Sequence, residues 1–155
     1  MEYALTPMTG SEANQILTWH YPPPYSFYDM NADIADCRDF LLAVENQTGE
    51  YYSAWNSSHE LSGFFSFLQQ TNLVEIGLGL KPDLTGQGFG YSFVSSGVQF
   101  AVRTFHPEKI RLAVATFNQR AITLYQRMGF EVTSRYLNHT NGGQYEFLEM
   151  ILDLP

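Results

Sequence analysis

The rhythm of apolar and polar positions changes along this chain, and each change marks an element. Tyr3 to Met8 reads as a short first strand. Ser11 is placed to cap a helix running to about Trp19, with Glu12 favourable in its first turn. From Asp33 to Val44 the apolar residues Ile34, Phe40, Leu41 and Val44 share one broad face, so the spacing predicts a second helix, ended by Gly49. Tyr51 to Trp55 and Leu61 to Gln69 flank the polar stretch Asn56-Ser57-Ser58-His59 and predict a hairpin. Leu73 to Leu80 follows as a strand holding Gly77 and Gly79, and glycine there marks a bulge or the close approach of another backbone. Phe93, Val94, Gly97, Val98, Ala101 and Phe105 recur at helical spacing within Tyr91 to Phe105, and Pro107 ends that helix. Ile110, Leu112 and Val114 alternate as a strand. Asn118 caps a short helix from Gln119 to Met128, closed by Gly129. Phe130 to Tyr136 and Tyr145 to Leu152 are the last strands, with Leu137 to Gly143 as the loop between them.

The resulting order is β-α-α-β-β-β-α-β-α-β-β. Its central strand–helix–strand crossover implies one parallel pair beside mostly antiparallel strands. The fold class is therefore mixed α/β (α+β), a mostly antiparallel sheet flanked by about four helices. With 155 residues, 45% of them hydrophobic, the chain can bury one sizeable core, and a single domain over 1–155 is expected. One stretch fits no period. Trp19-His20-Tyr21-Pro22-Pro23-Pro24-Tyr25-Ser26-Phe27-Tyr28 has three prolines that forbid regular helix and five aromatics, too many for a solvated loop. Those rings either fold onto the core or line a pocket.

Composition removes several function classes. No apolar run approaches the roughly 20 residues that span a bilayer. The first basic residue is Arg38, so the N-terminus lacks the basic region of a signal peptide. The lone Cys37 gives no disulfide framework and fits a reducing cytoplasm. His20, His59, His106 and His139 are scattered, with no partner at metal-ligand spacing, so no metal site is expected. Net charge is −8, and residues 1–80 hold ten acids against one base. That is not the basic footprint of a nucleic-acid binder. It suits a half that meets a cation, or a set of carboxylates such as Asp33, Asp36 and Asp39 that solvate a helix.

Thr85-Gly86-Gln87-Gly88-Phe89-Gly90 joins the strand ending at Leu80 to the following helix. Three glycines in five positions let the backbone approach a ligand, and successive N–H groups at a helix start make a nest for phosphate oxygens. A structural glycine turn would look the same. No Gly-Lys-Ser/Thr follows, so this is not a P-loop, and position 93 lacks the glycine of a dinucleotide fingerprint.

The spacing resembles motif A of the GNAT acetyltransferase superfamily, Arg/Gln-x-x-Gly-x-Gly/Ala, with Thr85 standing where the family usually has Arg or Gln. Asn118-x-x-Ala121-x-x-x-Tyr125-x-x-x-Gly129-Phe130 is similar to its motif B. The two lie in the family's order and at its separation. The resemblance implies a GNAT-like acyl-CoA N-acyltransferase fold with acetyl-coenzyme A as co-substrate, held at Leu78, Leu80, Thr85, Gly86, Gln87, Gly88, Phe89, Gly90, Asn118, Ala121 and Tyr125. It also implies that Tyr125 is the acid that protonates the departing thiolate, where the residues alone allow a packed core tyrosine. Glu75, flanked by Val74 and Ile76, stands where the family often has a base acting through water. A carboxylate there lies at a sheet edge or in a cleft. No Ser-His-Asp or Cys-His set is present for a covalent acyl-enzyme, so direct transfer is expected.

In the family the acceptor enters beside the loop between the first two helices and the loop between the last two strands, here Tyr21 to Asp29 and Leu137 to Gly143. Trp19 and Tyr21, Tyr25 and Tyr28 can cage an ammonium, and Asp29, Glu75, Glu146 and Glu149 can pair with it. The expected activity is acetyl transfer to a primary amine of a small cationic acceptor. A protein N-terminal or lysine acetyltransferase and a non-catalytic acyl-CoA-binding module are the alternatives. Members of this superfamily often dimerise, so a homodimer is compatible with the reading.

Overall fold

A computed structural model describes residues 2–29, 34–140 and 143–155. Seven strands form one sheet in the order β1-β2-β3-β4-β5-β7-β6, with β1 at Ala4–Pro7, β2 at Tyr51–Trp55, β3 at Leu61–Gln70, β4 at Leu73–Leu80, β5 at Lys109–Ala115, β6 at Glu131–Thr140 and β7 at Gly143–Asp153. Four helices accompany them: α1 at Gly10–Ile16, α2 at Ile34–Glu45, α3 at Gly90–Phe105 and α4 at Gln119–Arg127. Short 3₁₀ turns occupy Tyr25–Tyr28 and Pro82–Leu84. The order matches the one the hydrophobic pattern predicts. The chain condenses as two compact units, one of residues 1–66 and 78–97, the other of residues 67–77 and 98–155.

In the first unit β2 pairs antiparallel with both β1 and β3. Helix α1 starts earlier than expected. Its N-cap is Thr9, whose side chain accepts from the Glu12 N–H while the Glu12 carboxylate accepts from the Thr9 N–H, a reciprocal capping box. Ser11 lies inside the first turn, and the helix stops at Ile16 rather than Trp19. The Glu12 carboxylate also accepts from the fully buried Ser53 hydroxyl at 2.7 Å, so that buried polar group is satisfied. Met8, Ala13, Ile16, Trp19, Phe40, Val44 and Phe64 form one buried cluster. The expected start of the second helix at Asp33 lies outside the described residues. In the first half of α3, Phe93 stacks on Phe65 with centroids 4.5 Å apart. Gly79 is approached closely by both a ring and a backbone, since a Cβ there would sit 2.3 Å from Phe64 Cε1 and one on Gly63 would sit 2.6 Å from Gly79 O.

In the second unit β5 runs parallel to β4 over Leu73–Glu75, paired with Lys109–Arg111, and antiparallel to β7. Val74, Ile76, Ile110, Leu112, Val114, Leu148 and Met150 are buried, while Glu75 and Arg111 alternate with them onto the other face. Phe67 packs between Phe100 and Phe105, with centroids 5.3 and 5.7 Å away. The last two strands are longer than expected. Leu137, Asn138, His139 and Thr140 pair with Glu146, Tyr145, Gln144 and Gly143. The expected loop is therefore mostly ladder, and its Asn141 and Gly142 lie outside the described residues. A bulge between Val132 and Ser134 leaves Thr133 as the extra residue of β6. Among the described residues, no helix is long and apolar enough to cross a membrane.

Candidate active site

In the first unit the chain leaves β4 through a short, heavily bonded turn. The Leu80–Lys81 peptide is held on both sides. Its carbonyl accepts from the Tyr21 hydroxyl at 2.7 Å, and its N–H donates to Ser62 O at 2.8 Å. Pro82 fixes the next φ, Leu84 N–H donates to Lys81 O, and both the N–H and the hydroxyl of Thr85 donate to Pro82 O. The Gln87 amide donates to Asp83 O. The Thr85 N–H closes the 3₁₀ turn as that of any residue but proline could, and its hydroxyl adds a second bond to the same carbonyl.

Gly86 and Gly88 carry the left-handed backbone of the turn, with φ of 72° and 86°. For any residue with a Cβ that region costs about 1–2 kcal/mol. A Cβ placed on Gly88 would meet nothing within 4 Å, so the space over this glycine is open. Gly90 is different: it is the first residue of α3 and has no positive φ. Phe93 N–H reaches Phe89 O, whereas the first N–H groups of any helix have no carbonyl inside it to bond. A positive helix end beside two left-handed glycines, with open space over the second, suits an anion with several oxygens.

The aromatic stretch divides between the two fates expected of it. Trp19 is buried in the core cluster, so its face is not available to a ligand, a correction to the ammonium cage. Tyr21, Tyr25, Phe27 and Tyr28 are half-buried, and Pro22, Pro23 and Pro24 are exposed. Phe27 and Tyr28 meet edge to face at 5.2 Å. Asp29 closes the loop upon itself. One carboxylate oxygen accepts from the Tyr21 N–H at 2.8 Å, and the other lies 3.0 Å from His20 Nδ1. Burial, and then the Asp29 charge, push the Tyr21 phenol well above its usual 10, so it stays a hydrogen-bond donor.

In the second unit Tyr125 is 7% exposed on α4 and meets Phe130 at 5.9 Å and 60°. Its carbonyl accepts from Phe130 N–H, turning the chain at Gly129, whose φ is 105°. The Asn118 side chain accepts from Ala121 N–H at 3.3 Å and caps α4, so these two positions launch the helix that carries the tyrosine. Glu75 lies opposite Arg111 across the parallel pair, Oε1 to Nε 3.3 Å, with side chains 37% and 23% exposed. Arg111 also donates to Gln70 at 3.2 Å. Tyr136 joins this group: partial burial and the charges of Glu75 and Glu149 raise its pKa, against the opposing pull of Arg111. Its ring stacks on Phe147 at 5.9 Å.

Sequence reasoning missed Arg111, Tyr136 and the bond from Tyr21 to Leu80. An arginine alternating with Ile110 and Leu112 was a usable signal for the first. The other two depend on partners far along the chain.

Comparison with known proteins decides the family. The description "Acetyltransferase (GNAT) domain" matches residues 4–131, which include both glycine turn and α4. The chain belongs to the GNAT acetyltransferase family. Family members use acetyl-coenzyme A. It is 28% identical over 108 residues to mycothiol acetyltransferase of Salinispora tropica, a match covering 69% of this chain and 33% of that protein. The match thus spans about a third of its curated relative. Among solved structures, a chimera of the Vibrio cholerae spermidine N-acetyltransferase SpeG and hSSAT superposes with a TM-score of 0.81 at 15% identity, covering 99% of this chain and 96% of the other. The Vibrio cholerae spermidine N-acetyltransferase in complex with CoA and spermine gives 0.78 at 16%, covering 98% and 95%. A GNAT acetyltransferase from Bacillus anthracis gives 0.75 at 10%, covering 99% and 95%. At these identities the GNAT structures speak for the fold.

Proposed function

We propose that this chain transfers the acetyl group of acetyl-coenzyme A directly to a primary amine of a small, cationic acceptor. The observation that carries the coenzyme half is the left-handed pair Gly86 and Gly88 with open space over Gly88 at the start of α3. Bound there, the coenzyme supplies an acyl group activated as a thioester. Backbone N–H groups from Gly86 to Gly90 hold its pyrophosphate. Leu78 and Leu80 supply main-chain bonds to its arm, and a backbone N–H of that strand end polarises the acyl carbonyl.

An alkyl ammonium has a pKa near 10, judged by lysine, so a proton must leave it before attack. Glu75 takes that proton through water, with Arg111 orienting its carboxylate. Tyr125 donates a proton to the departing sulfur. Tyr25 and Tyr28 present rings to the acceptor. The acidic balance of residues 1–80 supports a cationic acceptor, and so do the names of neighbours that act on spermidine.

The test follows free thiol while the protein is incubated with acetyl-coenzyme A and a panel of polyamines, monoamines, neutral amines, amino acids and lysine peptides. Thiol release with cationic small amines ahead of the others is expected. Release only with peptides would replace the acceptor assignment. Coenzyme binding with no acceptor-dependent release would reduce the chain to a binding module.

A further inference from the structure

The Tyr21 side chain, from the loop expected to meet the acceptor, bonds the peptide from which the turn expected to meet the coenzyme departs. We propose that Tyr21 is a positioning residue that couples these two segments, by fixing the peptide from which the coenzyme turn departs. This rests on reading the Gly86–Gly90 turn as the coenzyme site.

Three observations build the argument. First, the hold on the Leu80–Lys81 peptide is two-sided, and only one side is backbone. Ser62 O takes the N–H as part of the sheet's own continuation, whereas the carbonyl is held by the Tyr21 hydroxyl from 59 residues away. Second, the segment between that peptide and Gly86 is bonded to itself throughout. Pro82 has a fixed φ, and the bonds to Lys81 O, Pro82 O and Asp83 O leave no free hinge before the glycines. A rotation of the Leu80–Lys81 plane is therefore passed on to Gly86 and Gly88. Third, Tyr21 is itself held. Asp29, whose side chain is 12% exposed, takes the Tyr21 N–H on one oxygen and faces His20 with the other. Tyr25 N–H bonds Pro22 O and Asp29 N–H bonds Ser26 O, so the loop between them is a closed ring of hydrogen bonds.

Asp29 then has a different duty from the ammonium contact expected of it: it cinches the loop so that the Tyr21 hydroxyl reaches Leu80. Movement of the loop on meeting an acceptor is felt at the coenzyme turn, and filling the turn sets the loop. Trp19, buried just before Tyr21, is a built-in reporter of that setting.

The experiment uses coenzyme A as probe. The dissociation constant is measured by calorimetry for the wild type, Tyr21→Phe, Asp29→Ala and the double variant, each shown to be folded by circular dichroism. Trp19 fluorescence is followed during the same titrations in a Trp55→Phe background. Tyr21→Phe is expected to weaken coenzyme A binding about 10-fold, the equivalent of one hydrogen bond. It should also abolish the Trp19 response at saturation. Asp29→Ala should weaken binding several-fold, and the double variant no more than Tyr21→Phe alone, because both act through one bond. A residue that merely stabilised the fold would lower the melting temperature and leave the saturated Trp19 response intact. A folded Tyr21→Phe protein with wild-type affinity, a retained Trp19 response, or additive effects would overturn the inference while the coenzyme reading stands. Wild-type protein that does not bind coenzyme A would overturn both. If Tyr21→Phe does not fold, Asp29→Ala, which keeps the phenol, decides the matter: unchanged affinity counts against the coupling and weakened affinity with a lost Trp19 response for it.

Discussion

Glu75 and Arg111 occupy facing positions of the parallel β4–β5 pair and join through a 3.3 Å ion pair on the face opposite Val74 and Ile76. The pair gives the carboxylate a fixed direction without removing it from water. Glu75→Gln keeps the shape and abolishes the base. The turnover number is expected to fall about 100-fold near neutral pH, the lower end for general-base catalysis. The loss should shrink as the pH rises toward the amine's own pKa, because the neutral amine then forms unaided. A pH–rate profile of both proteins checks this, and a ratio independent of pH would remove Glu75 as the base.

Gly88→Val adds bulk to open space, so no clash with the protein opposes it, but its φ of 86° does. A stability loss of about 1–2 kcal/mol is expected from the backbone strain. Coenzyme A affinity should fall far more, by at least about 100-fold, because the branched side chain fills the room the pyrophosphate needs. Calorimetric titration of the folded variant at low temperature separates the two effects.

Tyr125→Phe removes one hydroxyl from a ring that is 7% exposed and stays packed against Phe130. With the acid lost, the turnover number should drop about 10- to 1000-fold while coenzyme affinity barely changes. Single-turnover measurements, in which chemistry limits the rate, give the test. A wild-type rate there would leave Tyr125 as a packing residue.

The Tyr51 phenol is pushed up to about 12 by burial and then by the carboxylates of Glu50, Asp36 and Asp39. The folded state therefore keeps a proton that the unfolded chain releases near its ordinary 10. This contribution to stability is complete below pH 10 and is lost as the pH climbs toward 12. The stability difference between wild type and Tyr51→Phe should be flat through neutral pH and move in favour of the variant over that alkaline window. Urea unfolding at a series of pH values reads it directly.

Much of this architecture was legible because helices and strands impose different periods on buried side chains. Where one face is buried, as in Ile110, Leu112 and Val114, the period was plain. Where neither face is buried, it vanished. Residues 131–139 are all exposed, so the far end of β6 read as a loop although its backbone pairs with β7 through Thr140. The start of α1 was misplaced because Thr9 and Ser11 are both good caps, yet only Thr9 has a glutamate three residues on to complete the box. The site was legible as far as its local motifs, Gly86 to Gly90 and Asn118 to Phe130. Arg111 with Glu75 and Tyr21 with Leu80 are 36 and 59 residues apart, and no local pattern announces such pairs.

The bulge at Thr133 has a consequence for how this surface can change over time. Before it Val132 faces Met150, and after it Ser134 faces Glu149, so the count of residues along β6 changes parity there. Thr133 is also tied to Glu149, its hydroxyl 2.7 Å from Oε1. Loss of this single residue would leave Val132 on Met150 and Ser134 on Glu149 as consecutive regular pairs and remove only the bulge, whereas loss of another β6 residue would slip part of the strand by one and turn its side chains over. An exposed strand that accepts many substitutions is thus open to a one-residue deletion at its bulge and closed to one in its regular stretches. In a lineage of such proteins, changes in the length of β6 should gather at this bulge while its composition drifts along the whole strand.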